Sequence, residues 1–125
     1  MNGNPMKMNE LTRTYDRFEV VKVPFPFSDV KATKVRPALI LSTAKKFNAK
    51  IGCSVMAMIT SKKPIQDFWP ADILIKNLEP AGLPAPSIIR FKIFTLDHRL
   101  ILGRIGHLSD DDQGQVQCVL KEIFF

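Results

Sequence analysis

Cysteine is scarce in this chain: Cys53 and Cys118 are the only two in 125 residues, with no Cys-x-x-Cys spacing and no matching histidine pair. A protein metal site needs a cluster of such ligands, so neither a metal nor another cofactor is expected. The two thiols fall in a strand-like and a helix-like apolar pattern, and both are expected to be buried, in a cytoplasmic protein. No apolar run approaches the roughly 18 residues of a membrane-spanning helix. The opening Met1-Asn2-Gly3-Asn4-Pro5-Met6-Lys7-Met8 lacks the apolar core of a signal peptide, and a membrane partner is not expected. Histidine is equally rare, and no spacing links His98 to His107, so each reads as structural or surface rather than as half of an acid–base pair.

One absence is local. Residues 31 to 50 hold Lys31, Lys34, Arg36, Lys45, Lys46 and Lys50 and no acidic side chain. Residues 81 to 107 hold Arg90, Lys92, Arg99 and Arg104 against Asp97 alone, whereas residues 108 to 125 set Asp110, Asp111, Asp112 and Glu122 against Lys121. A chain of net charge +6, basic in its middle and acidic at its end, fits an anionic partner on one face, with a merely soluble basic surface as the plainer alternative. With 46% apolar residues the length suffices for one hydrophobic core. The expected organisation is a flexible N-terminal arm over residues 1–14 and a single domain over 15–125.

The chain is organised around Lys34-Val35-Arg36-Pro37-Ala38-Leu39-Ile40-Leu41-Ser42. Pro37 cannot donate a ladder hydrogen bond and biases Arg36 towards an extended backbone. Ala38 to Leu41 supply the short apolar run of a buried strand. The guanidinium would then stand at the rim of a sheet; a solvated strand edge is the alternative. Before it, residues 18–23 have strand composition, Pro24-Phe25-Pro26-Phe27 is too proline-rich for a central strand, and Ser28 to Lys34 reads as an exposed hairpin loop. After it, residues 43–52 form a polar connection, and Cys53 to Ile59 a second apolar strand ending in Thr60-Ser61-Lys62-Lys63-Pro64. Two hydroxyls and two lysines at a strand end suit phosphate contact. Trp69 is expected in a loop, as a core or interface residue or a base-stacking one. Residues 72–76 read as a short strand. Gly82 to Pro86 is a rigid connection, and residues 87–97 a half-exposed strand with Arg90 and Lys92 on one face. Residues 99–107 give a last strand, with Gly103 and Gly106 marking a bend or close packing. Ser109 caps a final helix, three aspartates complement its dipole, and Val116, Val119, Leu120 and Ile123 mark its apolar face. Many short strands and one helix predict a mainly β protein: a small, strongly bent barrel under a covering helix.

Val20-Val21-Lys22-Val23-Pro24-Phe25-Pro26-Phe27, then Arg36-Pro37-Ala38-Leu39-Ile40-Leu41, then Met58-Ile59-Thr60-Ser61, resemble successive blocks of the MazF/PemK toxins. Gly82-Leu83, Pro86-Ser87-Ile88-Ile89, Phe94-Thr95-Leu96-Asp97 and Ile105-Gly106-His107-Leu108-Ser109 are similar to later blocks, in the same order. The resemblance spans residues 16 to 122. It implies a homodimer of an SH3-like (CcdB/PemK-type) barrel that cleaves single-stranded RNA (mRNA) as a sequence-selective, metal-independent endoribonuclease. It also implies an acidic, partly disordered antitoxin as partner. Arg36 matches the family's catalytic arginine and Thr60 its catalytic threonine. Ser61 and Ser87 match polar groove positions, and Arg90 lies where some members carry a second arginine. Ser28, Lys31, Lys34, Lys62 and Lys92 complete the expected RNA-binding set. Two departures stand out: Phe18 replaces the usual glycine at the start of the first strand, and Lys92 lies near the place of an acidic residue, which leaves the general base unassigned. A non-catalytic antitoxin- or nucleic-acid-binding protein on the same scaffold stays open. A gyrase poison like CcdB fits less well, because the chain ends Glu122-Ile123-Phe124-Phe125 rather than in a Trp-Gly-Ile tail.

Overall fold

The structure, a computed structural model, describes residues 14–25, 34–62 and 67–125. Its strands are β1 (Glu19–Phe25), β2 (Lys34–Ile40), β3 (Cys53–Ser61), β4 (Ile73–Leu74), β5 (Ser87–Asp97) and β6 (Gly103–His107). They form one antiparallel sheet in the order β4-β5-β3-β2-β1-β6, curled into a half-barrel, with the helix Asp110–Phe124 following. The mainly β, SH3-like barrel with a C-terminal helix is thus the observed architecture.

Strand periodicity sorts the side chains onto two faces. Val20, Leu39, Ala57, Ile59 and Ile89 point to one, where they pack with Leu108 and with Val116 of the C-terminal helix. Val21, Val23, Ala38, Ile40 and Met56 point to the other, packed with Tyr15, Leu96 and Ile101. The register Val21↔Ala38↔Met58 fixes this second face across three strands. Arg36 and Thr60, two residues from Ala38 and Met58, lie on it.

Asp112 ties the helix to the sheet. Its fully buried carboxylate accepts from the backbone N–H of Lys76 (3.0 Å) and Asn77 (3.0 Å), so the N-terminal turn of the helix clamps the chain just after β4. Ser109 caps the same turn by accepting from the Asp112 N–H at 3.2 Å. The next contact explains two glycines. A Cβ on Gly106 would stand 2.2 Å from the Ala81 carbonyl carbon, and one on Gly82 would stand 1.9 Å from the Ile105 oxygen, so β6 and the one-turn helix Leu78–Ala81 meet backbone to backbone. Gly82 also ends that helix at φ 73°. Phe18 adopts φ 73° as well, the conformation that glycine supplies without strain. Its N–H and C=O are both used, donating to Ile40 and accepting from Leu108, and its side chain is buried. The aromatic ring therefore trades backbone strain for core volume.

Several expectations are corrected. Residues 43–52 are not a plain polar connection: Ala44–Asn48 is a π-helical turn and Ala49–Ile51 an α turn. The reason is Asn48, fully buried, whose amide donates to the carbonyls of Tyr15 (2.7 Å) and Ser42 (2.8 Å) and winds the segment around it. Pro24 lies within β1 after all, because β6 pairs with β1 only as far as Lys22 and makes no demand on a nitrogen two residues later. The strand expected over residues 72–76 is only Ile73–Leu74, and the last strand starts at Gly103 after a 3₁₀ turn at His98–Leu100. Neither cysteine is fully buried. Cys53 is half-buried, and Cys118 is exposed because two residues carry it roughly 200° around the helix from Val116. Ile123, expected on the apolar face, is 43% exposed. Residues 1–13 of the expected flexible arm and most of the hairpin loop lie outside the described residues.

Asp112→Ala leaves two buried backbone donors without an acceptor and should cost about 3 kcal/mol in urea unfolding. Asp110→Ala, which loses only a favourable charge at the helix start, should cost less than about 1 kcal/mol.

Candidate active site

A cavity of about 430 Å³ opens where β2 begins, β3 ends and β5 begins. Arg36, Lys34, Thr60, Ser61 and Ser87 line it, and Leu83-Pro84-Ala85 forms an apolar wall. The sheet brings these polar groups together from three strands: β2 runs antiparallel to β3, and β3 to β5, with Thr60 opposite Ile88 and Ser61 opposite Ser87.

Arg36 is held rather than solvated. Val23 stands opposite it on β1, and the Phe25 ring lies 5.0 Å from the guanidinium carbon. Its Nε is buried and has no hydrogen-bond partner among the described residues. The guanidinium brings a fixed, planar fork of donors to the cavity wall. Thr60 is half-buried and Ser61 exposed at the strand end. Ser87 is buried and donates to the Ala85 carbonyl at 2.8 Å, which leaves its oxygen free only as an acceptor.

The remaining candidates separate from this group. Lys62 is exposed one residue past β3, and Lys92 is exposed on β5; neither lines the cavity. Arg90 does not line it either. Its Nε donates to Asp72 Oδ1 (3.2 Å), its Nη2 to Asp72 Oδ2 (2.8 Å) and to the Asp67 carbonyl (2.8 Å), and its guanidinium lies 4.9 Å from the Trp69 ring centroid. Ser28 and Lys31 lie outside the described residues. Sequence reasoning missed Phe25 as the partner of Arg36 and Asp72 as the partner of Arg90. The alternation of Val23 with Phe25 was the available signal for the first; nothing local signalled the second.

The sequence matches the family of PemK-like, MazF-like toxins of type II toxin–antitoxin systems over residues 16–124. The chain belongs to that family. No curated protein sequence matches it. Among solved structures, an endoribonuclease in complex with its cognate antitoxin from a mycobacterial species is similar with a TM-score of 0.67 at 15% identity, covering 86% of this chain and 92% of that one. MazF from Deinococcus radiodurans gives 0.66 at 20% identity, covering 88% and 96%. Mycobacterium tuberculosis toxin MazF-mt6 gives 0.66 at 17%, covering 85% and 95%. At these identities the likeness is one of fold. No helix among the described residues is long and apolar enough to cross a membrane.

No carboxylate, imidazole or thiol is among the described residues lining the cavity. Asp97 pairs with Cys53, at the far end of β3 from Thr60. Hydrogen bonds from Arg99 hold the Asp97 carboxyl well down, at about 2. The His98 ring shares a 2.7 Å hydrogen bond with the buried Ser54 hydroxyl and meets Tyr15 edge-on at 5.3 Å. Burial lowers its pKa below 6.5, against the opposing pull of Asp97.

Below about pH 6.5 the unfolded chain therefore takes up the His98 proton before the folded one does, so stability is full above that value and falls as pH falls. Urea midpoints measured against pH should show this decline, and His98→Gln should remove it. The separate loss between 3.8 and about 2, where unfolded Asp97 protonates before folded Asp97, should remain in that variant.

Proposed function

We propose that the protein is a sequence-selective endoribonuclease toxin that cleaves single-stranded RNA without a metal ion. The observation that carries this reading is that Arg36, whose buried Nε has no partner among the described residues, lines one cavity with Thr60 in a chain of the MazF-like toxin family. RNA contains its own nucleophile. The 2′-oxygen bonds to the adjacent phosphorus, the bond from phosphorus to the 5′-oxygen breaks, and the proton lost by the 2′-OH is balanced by one gained at the leaving oxygen. The products are a 2′,3′-cyclic phosphate and a 5′-hydroxyl.

The protein must hold the reacting atoms in line and stabilise the charge that grows on the phosphoryl oxygens. Arg36 supplies that charge, with its stem fixed by β2 and its face by Phe25. The Thr60 hydroxyl orients the 2′-OH or a phosphoryl oxygen. Lys34 and Ser61 at the mouth hold neighbouring backbone, and the Leu83-Pro84-Ala85 wall excludes water from one side. The described lining residues include no carboxylate, imidazole or thiol, so what they supply in this reading is electrostatic stabilisation and alignment.

The partners follow from the same features. A net charge of +6, with an acid-free basic stretch over residues 31–50, suits RNA and also an acidic, partly disordered antitoxin. The similar mycobacterial endoribonuclease is seen with its cognate antitoxin, and the Deinococcus radiodurans MazF with MazE. A cytoplasmic homodimer is the assembly we assign. The second reading, a binding protein without nuclease activity, is favoured by the lack of a carboxylate, imidazole or thiol among the described residues that line the cavity.

Incubating purified protein with a long RNA in excess EDTA decides between them. Site-specific cuts ending in cyclic phosphate are expected; tight RNA binding without cuts would establish the second reading. Arg36→Ala and Thr60→Ala should each lower the cleavage rate about 100- to 1,000-fold with unchanged thermal unfolding. Arg36→Lys should not restore it, because an ammonium lacks the planar fork.

A further inference from the structure

Trp69 is the chain's one tryptophan, and it is 45% exposed. A large ring left in water is common enough singly, but this one is built into place. One of its faces is covered by the Arg90 guanidinium, 4.9 Å from the ring centroid. Arg90 is in turn forked onto Asp72, whose side chain is 2% exposed. The same carboxylate accepts from the Trp69 backbone N–H at 2.8 Å, and the Asp72 N–H donates back to the Trp69 carbonyl at 3.2 Å. Between them Ala71 is held at φ 73°, a costly conformation for a residue with a Cβ. Phe68 (38% exposed) and Leu74 (47%), close by in the chain, are also exposed. A buried ion pair and a strained backbone thus serve to hold one aromatic ring rigid in solvent.

The register says what lies next to it. Arg90 stands opposite Met58, and Thr60 opposite Ile88. Arg90 and Thr60 therefore share a sheet face, with backbones roughly 8 Å apart from strand spacing and rise. That is within the reach of one nucleotide from a phosphate seated at Arg36 and Thr60.

We propose that Trp69 is a stacking platform for an unpaired nucleobase flanking the phosphate held at Arg36, a subsite that rests on the RNA reading above. Arg90 is then a positioning residue beneath the ring rather than an RNA contact, because Asp72, Asp67 and Trp69 already use its fork and its face. Stacking is tolerant of base identity, but a ring fixed beside the cut phosphate favours the strand conformations that place a base upon it, and so contributes to site preference.

Being the sole tryptophan, Trp69 reports on itself. The probe is a mixed-sequence single-stranded RNA with 2′-O-methyl groups, which cannot be cleaved by its own hydroxyl. Titration into the full-length protein should quench Trp69 emission saturably. Trp69→Ala should weaken binding of the same RNA about 5- to 150-fold and Trp69→Phe far less, the range expected for one stacked base. Arg90→Lys should lower the quench amplitude at saturation, whereas Lys121→Ala, an exposed position on the C-terminal helix, should leave it unchanged. RNA that binds without quenching, or that binds Trp69→Ala as tightly as the parent, overturns the subsite. Quenching by an acidic peptide and not by RNA overturns it too, and gives the ring to a protein partner. The two readings fail separately: quenching without cuts in long RNA sinks only the nuclease, and cuts without quenching sink only the platform.

Discussion

The working face of this sheet depends on one register, Val21 opposite Ala38 opposite Met58. Once those three backbones pair, alternation places Val23 and Phe25 beside Arg36, and Thr60 at the end of the neighbouring strand. A slip of one residue would turn Arg36, together with Ala38 and Ile40, towards the helix-covered face and send Leu39 to the other. The fully buried Val21, Ala38 and Ile40 resist that slip, so the hydrophobic core and the position of the guanidinium are set by the same pairing.

That coupling explains how a cation can be kept with a buried, unpaired donor. A solvated arginine would spread over many rotamers and pair with water. Here the stem is confined by β2 and the plane by Phe25, so the desolvation of Nε is sustained by packing already in place. A phosphate arriving at the cavity would meet a guanidinium whose Nε has no partner among the described residues. Preorganisation of this kind is what electrostatic stabilisation of a phosphoryl-transfer transition state requires. Arg90 shows the opposite arrangement on the same face: its donors are satisfied by Asp72 and Asp67, which converts a cation into a support for Trp69.

The far side of the sheet supplies the rigidity. Asp112 clamps Lys76 and Asn77, and the close approach of Gly106 to Ala81 and of Gly82 to Ile105 leaves little room between β6 and the chain leading into β5. These contacts hold the Leu83-Pro84-Ala85 wall against the ends of β2 and β3. The strained φ of Phe18 belongs to the same side, where the ring joins the core and its backbone bridges Ile40 and Leu108.

The strands β1, β2, β3 and β5 and the C-terminal helix were legible in the chain because each carries its own period: an apolar run behind Pro37, alternation in residues 87–97, a Ser109 cap before an apolar face. Arg36 and Thr60 were legible as a pair only through the ordered blocks shared with the toxin family, since nothing local relates residues 24 positions apart. What the sequence could not decide were effects made by distant partners. Asn48 coils residues that are polar enough to pass for a loop, because its amide reaches Tyr15. Asp112 looked like one of three dipole charges until Lys76 and Asn77 were brought to it. Arg90 looked like a phosphate ligand until Asp72 took its fork. Local pattern determines which segments become strands and helix; which cation stays unpaired is decided by tertiary contacts, because a side chain's availability depends on every neighbour the fold supplies.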